Sequence, residues 1–194
     1  KLSIGKLFAN YGFLFILAFM VIISSILSPA FLTSRNLLNV LRQMSVTTII
    51  AFGMTLIIIG GMIDLSAGSV TALAGVVGTS LYVATGSIWI GLISGLIVGG
   101  LAGLVSGTLI SHFRLPPFIA TLAMMTGARG LVLLYTGGRP IINIGNFTVL
   151  GQGVLLGMPI PILIMFIVFA IMIVLAKRTR LGRYVYAIGG NENA

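Results

Sequence analysis

The residue types that usually carry catalysis are scarce in this sequence. Its 194 residues include two acids, Asp64 and Glu192, a single histidine, His112, and no cysteine. An acid–base or hydrolytic metal site needs several such side chains close together, and a disulfide or thiolate metal site needs cysteine. We therefore expect no catalytic residue and no metal site in this chain.

Asp64 is the acid whose surroundings most suggest a function. It follows the pair Gly60-Gly61 and precedes Ser66, at the junction of two apolar segments. A glycine pair can end a helix, and an acid near membrane depth usually faces a cavity, a partner or the interface. Asp64 and Ser66 are therefore candidates for a translocation path or gate. An aspartate here could equally cap the helix that follows.

Arg129 is the third candidate for the path. It lies in an apolar segment thirteen residues after Pro116, which is about 20 Å along a helix. Its side chain could reach outward to the membrane surface, face a polar pathway or contact a neighbouring helix. The topology derived below places Asp64 near the opposite surface, so we expect no direct Asp64–Arg129 pair.

The elements that position these residues are predicted to be membrane spans. The chain is 58% hydrophobic and 7% charged, against roughly 25% charged residues in soluble domains. About 20 apolar residues cross a bilayer as a helix, and the apolar runs lack the alternation of barrel strands. We therefore predict an all-α polytopic transmembrane helical bundle with about six spans, at residues 8–27, 45–61, 68–84, 88–111, 116–135 and 160–176.

The distribution of lysine and arginine predicts the orientation of the bundle. Cytoplasmic loops of membrane proteins carry an excess of these residues. An inside N-terminus places seven of them in the cytoplasm and three outside, with both the N-terminus and the C-terminal tail cytoplasmic. The inside set is Lys1, Lys6, Arg114, Lys177, Arg178, Arg180 and Arg183, and the outside set is Arg35, Arg42 and Arg139. This clustering at span ends also explains the net charge of +9 without nucleic-acid binding.

Two segments are predicted to lie outside. Residues 33–44 have leucines at helical spacing and a possible cap at Thr33 or Ser34, which predicts a short helix along the outer interface. Residues 136–159 are polar and rich in glycine, and irregular backbone of this kind cannot face lipid. Each segment either contacts an outside partner or serves only in packing and connection.

The fourth predicted span carries a regular glycine ladder. Glycine recurs every four residues, which places all five glycines on one slowly drifting stripe of a helix. Such a stripe lets another helix approach closely, and we expect close packing here, with a pore-lining role as the alternative. The ladder is Gly91, Gly95, Gly99, Gly103 and Gly107.

The C-terminal segment, residues 177–194, combines four of the positive charges with aromatic and glycine residues. Leu181, Tyr184, Val185 and Ile188 fall on one face of a helix, and we expect the pair at 189–190 to end that helix. A basic anchor would fix topology, but this ordered pattern exceeds what anchoring needs. It indicates a docking surface.

The sequence resembles the permease subunits of ATP-binding-cassette sugar importers, specifically the ribose-type branch (the permease family for ribose, xylose, galactose and autoinducer). The resemblance rests on five stretches that occur in family order. They are residues 28–39, 53–56 with 63–69, 117–122, 128–130 with 135–140, and 181–192, the last reading LGRYVYAIGGNE. We expect the chain to be the N-terminal portion of a longer, single-domain permease, because permeases of this family continue with further spans.

The resemblance implies partners and roles rather than catalysis. It implies a dimer of permeases in the bacterial inner membrane, a cytoplasmic ATPase subunit that binds ATP and Mg, and an extracytoplasmic sugar-binding protein. Arg35, Asn36 and Arg139 become candidate contacts of the binding protein. The segment 177–194 becomes a cytoplasmic coupling segment, with the candidate ATPase-coupling residues Gly182, Arg183, Tyr184, Tyr186, Ala187, Gly189, Gly190, Asn191 and Glu192.

The expected function is passage of a monosaccharide, with ribose first and another pentose, a hexose or a furanosyl signalling molecule as alternatives. Closure of the ATPases would move the coupling segment, and the two permeases would rock between outward-open and inward-open states. On this basis Gly190→Trp is expected to block coupling. An ion-driven secondary transporter is the further alternative. It would need intramembrane acids and inverted repeats, and the sequence offers one acid at a span boundary and no clear repeat. A membrane enzyme would need clustered catalytic groups, which the sequence does not supply.

Overall fold

The computed structural model describes the backbone of residues 4–190 and the side chains of residues 11–190. The chain divides into two compact units, Lys1–Met44 and Ser45–Ala194. Asn191 and Glu192, which were predicted as coupling residues, lie outside the described residues. The described part is mostly helical, which confirms the predicted all-α class.

The first unit contains helix α1, Ile4–Leu27, and the beginning of helix α2, Ser34–Ile59. Between the helices, Thr33 caps α2: its Oγ1 accepts a hydrogen bond from the Asn36 N–H at 3.3 Å. Asn36 in turn donates through Nδ2 to the carbonyl of Phe31 at 2.8 Å. The predicted cap is therefore correct, and it fixes the point at which α2 begins.

The predicted separate interface helix at 33–44 is wrong, because these residues form the first turns of the 26-residue helix α2. The predicted second span began at Ser45, where the sequence turns from polar to apolar. A change of polarity alone does not end a helix; the chain has no glycine or proline between Thr33 and Phe52 to break it.

Helix α2 ends where the Gly60-Gly61 pair predicted a break. Gly61 adopts φ +77°, its N–H donates to the Ile58 carbonyl, and the Met62 N–H donates to the Ile57 carbonyl, both at 3.0 Å. This is the Schellman arrangement, in which a left-handed glycine satisfies carbonyls at the end of a helix. It turns the chain into the Asp64 segment before helix α3, Ala67–Thr85.

Helices α3 and α4, Ile88–Ser111, pack closely and antiparallel through the glycine ladder. A Cβ added to Gly78 would lie 2.7 Å from the Gly91 carbonyl oxygen, and one added to Gly95 would lie 3.2 Å from the Ala74 carbonyl oxygen. The first two glycines of the ladder thus serve the predicted close packing. No atom lies within 4 Å of a Cβ built at Gly99, Gly103 or Gly107, and these three line cavities instead.

Helix α5, Pro117–Thr136, begins with proline at its first position, where the missing N–H costs little. The polar segment that follows is less irregular than predicted. It contains a 3₁₀ turn, Gly145–Thr148, a short helix α6, Val149–Gln152, and a hairpin of strands β1, Val154–Leu155, and β2, Met158–Pro159. Val154 pairs with Pro159 and Leu155 with Met158, a small departure from the all-α prediction.

Helix α7, Ile160–Arg178, leads into helix α8, Arg180–Gly190. Thr179 joins them: its hydroxyl donates to the Leu175 carbonyl at 2.6 Å and accepts from the Gly182 N–H at 3.3 Å. Gly190 is the last described residue of α8, and neither glycine of the 189–190 pair adopts the left-handed conformation that ends α2. The expectation that this pair ends the helix stays a prediction, since residues 191–194 lie outside the described part of the chain.

The exterior of the described chain is apolar, and most of its buried residues are small, with Ile162 as a large exception. Large side chains are widely exposed, for example Leu134 at 83% and Trp89 at 73%, whereas the buried residues include Ala102, Ala120 and Ala128. Five described helices are long and apolar enough to cross a membrane, and the first predicted span adds the shorter apolar stretch Tyr11–Leu27. The chain is therefore a multi-pass membrane protein.

Candidate functional site

The Asp64 segment forms a hydrogen-bonded turn just before α3. Asp64 Oδ1 accepts from the Ser66 N–H at 2.7 Å and from the Ser66 hydroxyl at 2.6 Å. A carboxylate at a helix N-terminus is also favoured by the helix dipole. The predicted alternative that Asp64 is the N-cap is wrong, because the N-cap of α3 is Ser66, which makes no side-chain capping bond; Asp64 instead holds the turn before it. This geometry uses one carboxylate oxygen only. It leaves the second carboxylate oxygen without a partner among the described residues.

The same turn forms one wall of a cavity. Asp64 is half-buried and Ser66 is buried, and both line a space of about 270 Å³ that is bounded by the end of α2 and by α3, α4 and α5. Glycines 99, 103 and 107 of the ladder open this space, since they place no side chain in it. The other lining residues are Ile57, Met62, Ile63, Ala67, Val70, Ser106, Ile110 and Thr121.

Arg129 belongs to a different cavity, toward the opposite end of α5. This cavity of about 620 Å³ is lined by Arg129 and also by Arg139, together with residues of α3 from Ala72 to Thr79. Asp64 and Arg129 thus do not share a site, as the topology predicted. The structure instead brings Arg129 together with Arg139, which the sequence had grouped with the binding-protein contacts.

Of the other predicted binding-protein contacts, Arg35 and Asn36 lie in the first turn of α2. Arg35 is exposed, whereas Asn36 is half-buried and its side chain amide bonds to the Phe31 carbonyl. Asn36 therefore helps to hold the turn before α2, and Arg35 is the freer of the two for contact with another protein.

Helix α8 divides into a packed face and an exposed face. Gly182 is buried against the end of α7, so closely that an added Cβ would overlap the carbonyl oxygen of Ala176. Val185 is half-buried. On the exposed face, Leu181, Tyr184 and Ile188 are each at least half exposed. Three of the four residues of the apolar stripe identified in the sequence are therefore exposed, whereas the fourth, Val185, and the glycines make contacts within the chain.

The end of α8 meets the end of α2. A Cβ at Gly189 would overlap the carbonyl oxygen of Ile59, whereas no atom lies within 4 Å of a Cβ at Gly190. Carbonyls in the last turn of a helix lack intrahelical donors, and the bare backbone of Gly189 packs directly against one of them. Gly189 thus contacts the end of α2 within the chain, whereas the space beside Gly190 is open; the predicted role of both glycines in coupling stays a prediction.

A third cavity lies beside this contact. It measures about 590 Å³ and lies between α8, the Gly60-Gly61 turn and the loop between α4 and α5. Arg114 lines it in a left-handed conformation, φ +54°, next to Pro116 and Pro117. The remaining predicted coupling residues, Arg183, Tyr184, Tyr186 and Ala187, are exposed on α8.

Sequence reasoning missed Ser106 and Thr121 as cavity residues. Both are common helix residues in apolar segments, and nothing in their spacing separates them from hydroxyls that face the backbone. The ladder gave an indirect signal, because Ser106 lies immediately before Gly107 and three residues after Gly103.

Comparison with known proteins agrees with the resemblance inferred from the sequence. A family model described as "Branched-chain amino acid transport system / permease component" matches residues 36–194. Ribose import permease protein RbsC of Haemophilus influenzae is 42% identical over 197 residues, covering 99% of this chain and 61% of the relative. RbsC of Bacillus subtilis is 46% identical over 178 residues, covering 90% and 55%.

D-allose transport system permease protein AlsC of Escherichia coli is 37% identical over 188 residues, covering 95% of this chain and 58% of the relative. The chain thus spans about 55–61% of the length of these relatives. No solved structure matches it. The resemblance to ribose-type permeases is confirmed, and the chain belongs to the family of permease components of branched-chain amino acid transport systems.

Proposed function

We propose that this chain is part of the membrane-spanning permease of an ATP-driven importer, which forms the path of a monosaccharide across the bacterial inner membrane. The observation that carries the proposal is the 42–46% identity to ribose import permeases over at least 90% of the chain. Ribose is therefore the first candidate substrate. The relatives named for D-allose and L-arabinose transport support another sugar as the second candidate.

In this proposal helix α8 is the docking site of a cytoplasmic ATPase subunit, which binds ATP and Mg. The exposed stripe of Leu181, Tyr184 and Ile188 supports this, since it remains uncovered in the described chain. Basic residues Arg180 and Arg183 border the stripe, and an apolar centre with a charged rim is typical of protein interfaces. In this proposal ATP hydrolysis takes place in that partner subunit.

Through the contact between Gly189 and Ile59, a movement of α8 caused by ATPase docking would reach the end of α2. A movement of α8 would press on the last turn of α2, and the Gly60-Gly61 turn connects that point to Asp64. Asp64 and Ser66 therefore serve as a gate element at the predicted cytoplasmic end. The route runs through backbone contacts, which transmit displacement better than flexible side chains do.

On the opposite side, the proposal assigns Arg129 and Arg139 to the entrance for the sugar and its extracytoplasmic binding protein. Two guanidinium groups line the same cavity, and an acidic surface would complement them and steer association. A second permease copy completes the path, and nucleic acid has no role.

The proposal is tested with the full-length permease, its ATPase and its binding protein in proteoliposomes. We expect ribose-loaded binding protein to stimulate ATP hydrolysis and ribose uptake. Stimulation by another sugar would retain the importer and replace the substrate. Uptake that follows an ion gradient and needs no ATPase would contradict the proposal.

A further inference from the structure

The 270 Å³ cavity beside Asp64 contains a polar group that the fold itself does not use. Ser106 is only 9% exposed, and its hydroxyl oxygen is buried without a hydrogen-bond partner. Leaving a buried hydroxyl unsatisfied costs about 1–3 kcal/mol, so such a group needs an explanation, and a bound molecule that supplies the partner is one.

The neighbouring hydroxyls of α4 show that this state is not a property of serine in a membrane helix. Thr108 donates to the Leu104 carbonyl at 2.7 Å, and Ser111 donates to the Gly107 carbonyl at 2.7 Å. Each hydroxyl thus donates a hydrogen bond within the helix, to the carbonyl four residues earlier in the chain. Ser106 does not, although it lies on the same helix and lines the cavity.

Two further groups present hydrogen-bonding capacity to the same cavity. Asp64 uses Oδ1 for Ser66 and keeps its other carboxylate oxygen as a free acceptor among the described residues. Thr121 is 3% exposed and donates its hydroxyl hydrogen to the Pro117 carbonyl at 2.8 Å. Its oxygen therefore still accepts. The cavity thus offers a carboxylate acceptor, a hydroxyl acceptor and a free hydroxyl.

The rest of the wall is aliphatic. Ile57, Val70 and Ile110 face the cavity, and the ladder glycines keep it open. Its volume equals that of about nine water molecules in the liquid, which is the size class of one monosaccharide. A few placed polar groups on an apolar wall are typical of small-molecule sites.

We propose that this cavity is an inner subsite for a single ring-form monosaccharide. A sugar hydroxyl donates to the free oxygen of Asp64 and a second donates to Thr121. The Ser106 hydroxyl, whose oxygen is enclosed by the wall in this structure, rotates toward the cavity and donates to a sugar oxygen. The C–H face of the ring packs on the aliphatic wall. The inference rests on the proposed function and deepens it, since it names groups that hold the sugar at the predicted cytoplasmic end.

A hard cation is a poorer occupant. Calcium takes six to eight oxygen ligands and magnesium needs near-ideal octahedral coordination, whereas four side chains of the cavity carry oxygen, namely Asp64, Ser66, Ser106 and Thr121. Aliphatic residues on the remaining wall cannot complete such a shell. The same wall suits the C–H groups of a sugar.

The test measures sugar binding to the full-length permease in lipid nanodiscs, without ATPase or binding protein. Saturation-transfer NMR with D-ribose reports contact, and a ribose titration gives the apparent Kd. We expect transfer to D-ribose in the wild type. Ser106→Ala should weaken binding about two- to tenfold, as expected for one neutral hydrogen bond, and Gly103→Leu should abolish it by filling the cavity.

The matched control is Ser94→Ala. Ser94 lies on the same helix but donates to the Gly91 carbonyl at 2.9 Å, and it does not line the cavity, so binding should remain at the wild-type level. Asp64→Asn provides a second variant that keeps an acceptor for Ser66, and we expect binding to weaken at least tenfold from loss of the charged acceptor. Thermal unfolding of each variant establishes that it is folded.

No transfer to ribose in the wild type would overturn the inference, as would equal affinity in the wild type, Ser106→Ala and Gly103→Leu. If ribose does not bind to the cavity but still stimulates ATP hydrolysis and uptake in the complete transporter, the proposed function is supported and the proposed subsite is wrong. If neither ribose nor any other sugar stimulates ATP hydrolysis or uptake in the complete transporter, the proposed function itself has failed.

Discussion

The contact of Gly189 with the end of α2 leads to a sharp prediction. A methyl group added by Gly189→Ala would overlap the Ile59 carbonyl oxygen and approach the Gly60 Cα at 3.4 Å. Both neighbours are backbone, so neither can rotate away, and α8 must shift. The adjacent substitution Gly190→Ala meets no atom within 4 Å and is the matched control.

The magnitude follows from two opposing terms. Overpacking costs about 1–3 kcal/mol, whereas alanine gains up to about 1 kcal/mol over glycine in a helix. The propensity gain applies to both variants and largely cancels in the comparison. Gly189→Ala should therefore weaken the attachment of α8 by about 1–3 kcal/mol relative to Gly190→Ala, which is roughly 5- to 150-fold in the opening equilibrium.

Amide hydrogen exchange of the full-length permease, followed by mass spectrometry, measures this opening directly. We expect peptides of α8 to exchange faster in Gly189→Ala than in Gly190→Ala, and peptides of α4 to be unchanged in both. In the complete transporter, the same variant should lower sugar-stimulated ATP hydrolysis. Equal exchange of α8 in the two variants would refute the assignment of Gly189 as the contact.

Three further predictions concern other parts of the fold. Gly78→Ala should lower thermal stability in detergent by about 1–3 kcal/mol, since its Cβ would lie 2.7 Å from the Gly91 carbonyl oxygen; Gly75→Ala, with open space, should not, and equal melting temperatures would contradict the packing. Asp64→Ala should cost about 1.5–3 kcal/mol through loss of the two hydrogen bonds that the carboxylate accepts from Ser66. Asp64→Asn keeps an acceptor for Ser66 and should cost less; equal unfolding of the two variants would contradict this role. Arg139→Glu should weaken association with the binding protein most at low salt, and an unchanged Kd would exclude Arg139 from that surface.

Much of the fold was predictable because its main elements are long apolar runs. The fourth span was predicted at 88–111 and α4 occupies Ile88–Ser111. The break at Gly60-Gly61 was also predictable, since a left-handed turn there favours glycine. The start of α2 was not, because polar residues in a helix extend it as readily as apolar ones do unless glycine or proline intervenes.

The candidate site was less predictable than the fold. Asp64 and Ser66 were identified from their chemistry, but Ser106 and Thr121 became visible only once four helices were brought together. The difference between Gly189 and Gly190 likewise depends on which of two adjacent backbones faces α2. Helical periodicity shows which residues of α8 share a face, but it does not show which face packs against α2.

The contrast between small buried residues and large exposed ones predicts an unusual pattern of tolerance to substitution. In a water-soluble protein, the largest apolar side chains are the least replaceable. In this chain, exposed residues such as Leu134 and Trp89 should accept most apolar replacements, since lipid adapts to their shape. Ala120 and Ala128, each 1% exposed, should reject even one extra methylene. A saturation mutagenesis map would therefore show its strictest positions at alanine, serine and glycine, and sequence drift in this protein should accumulate in its bulkiest residues.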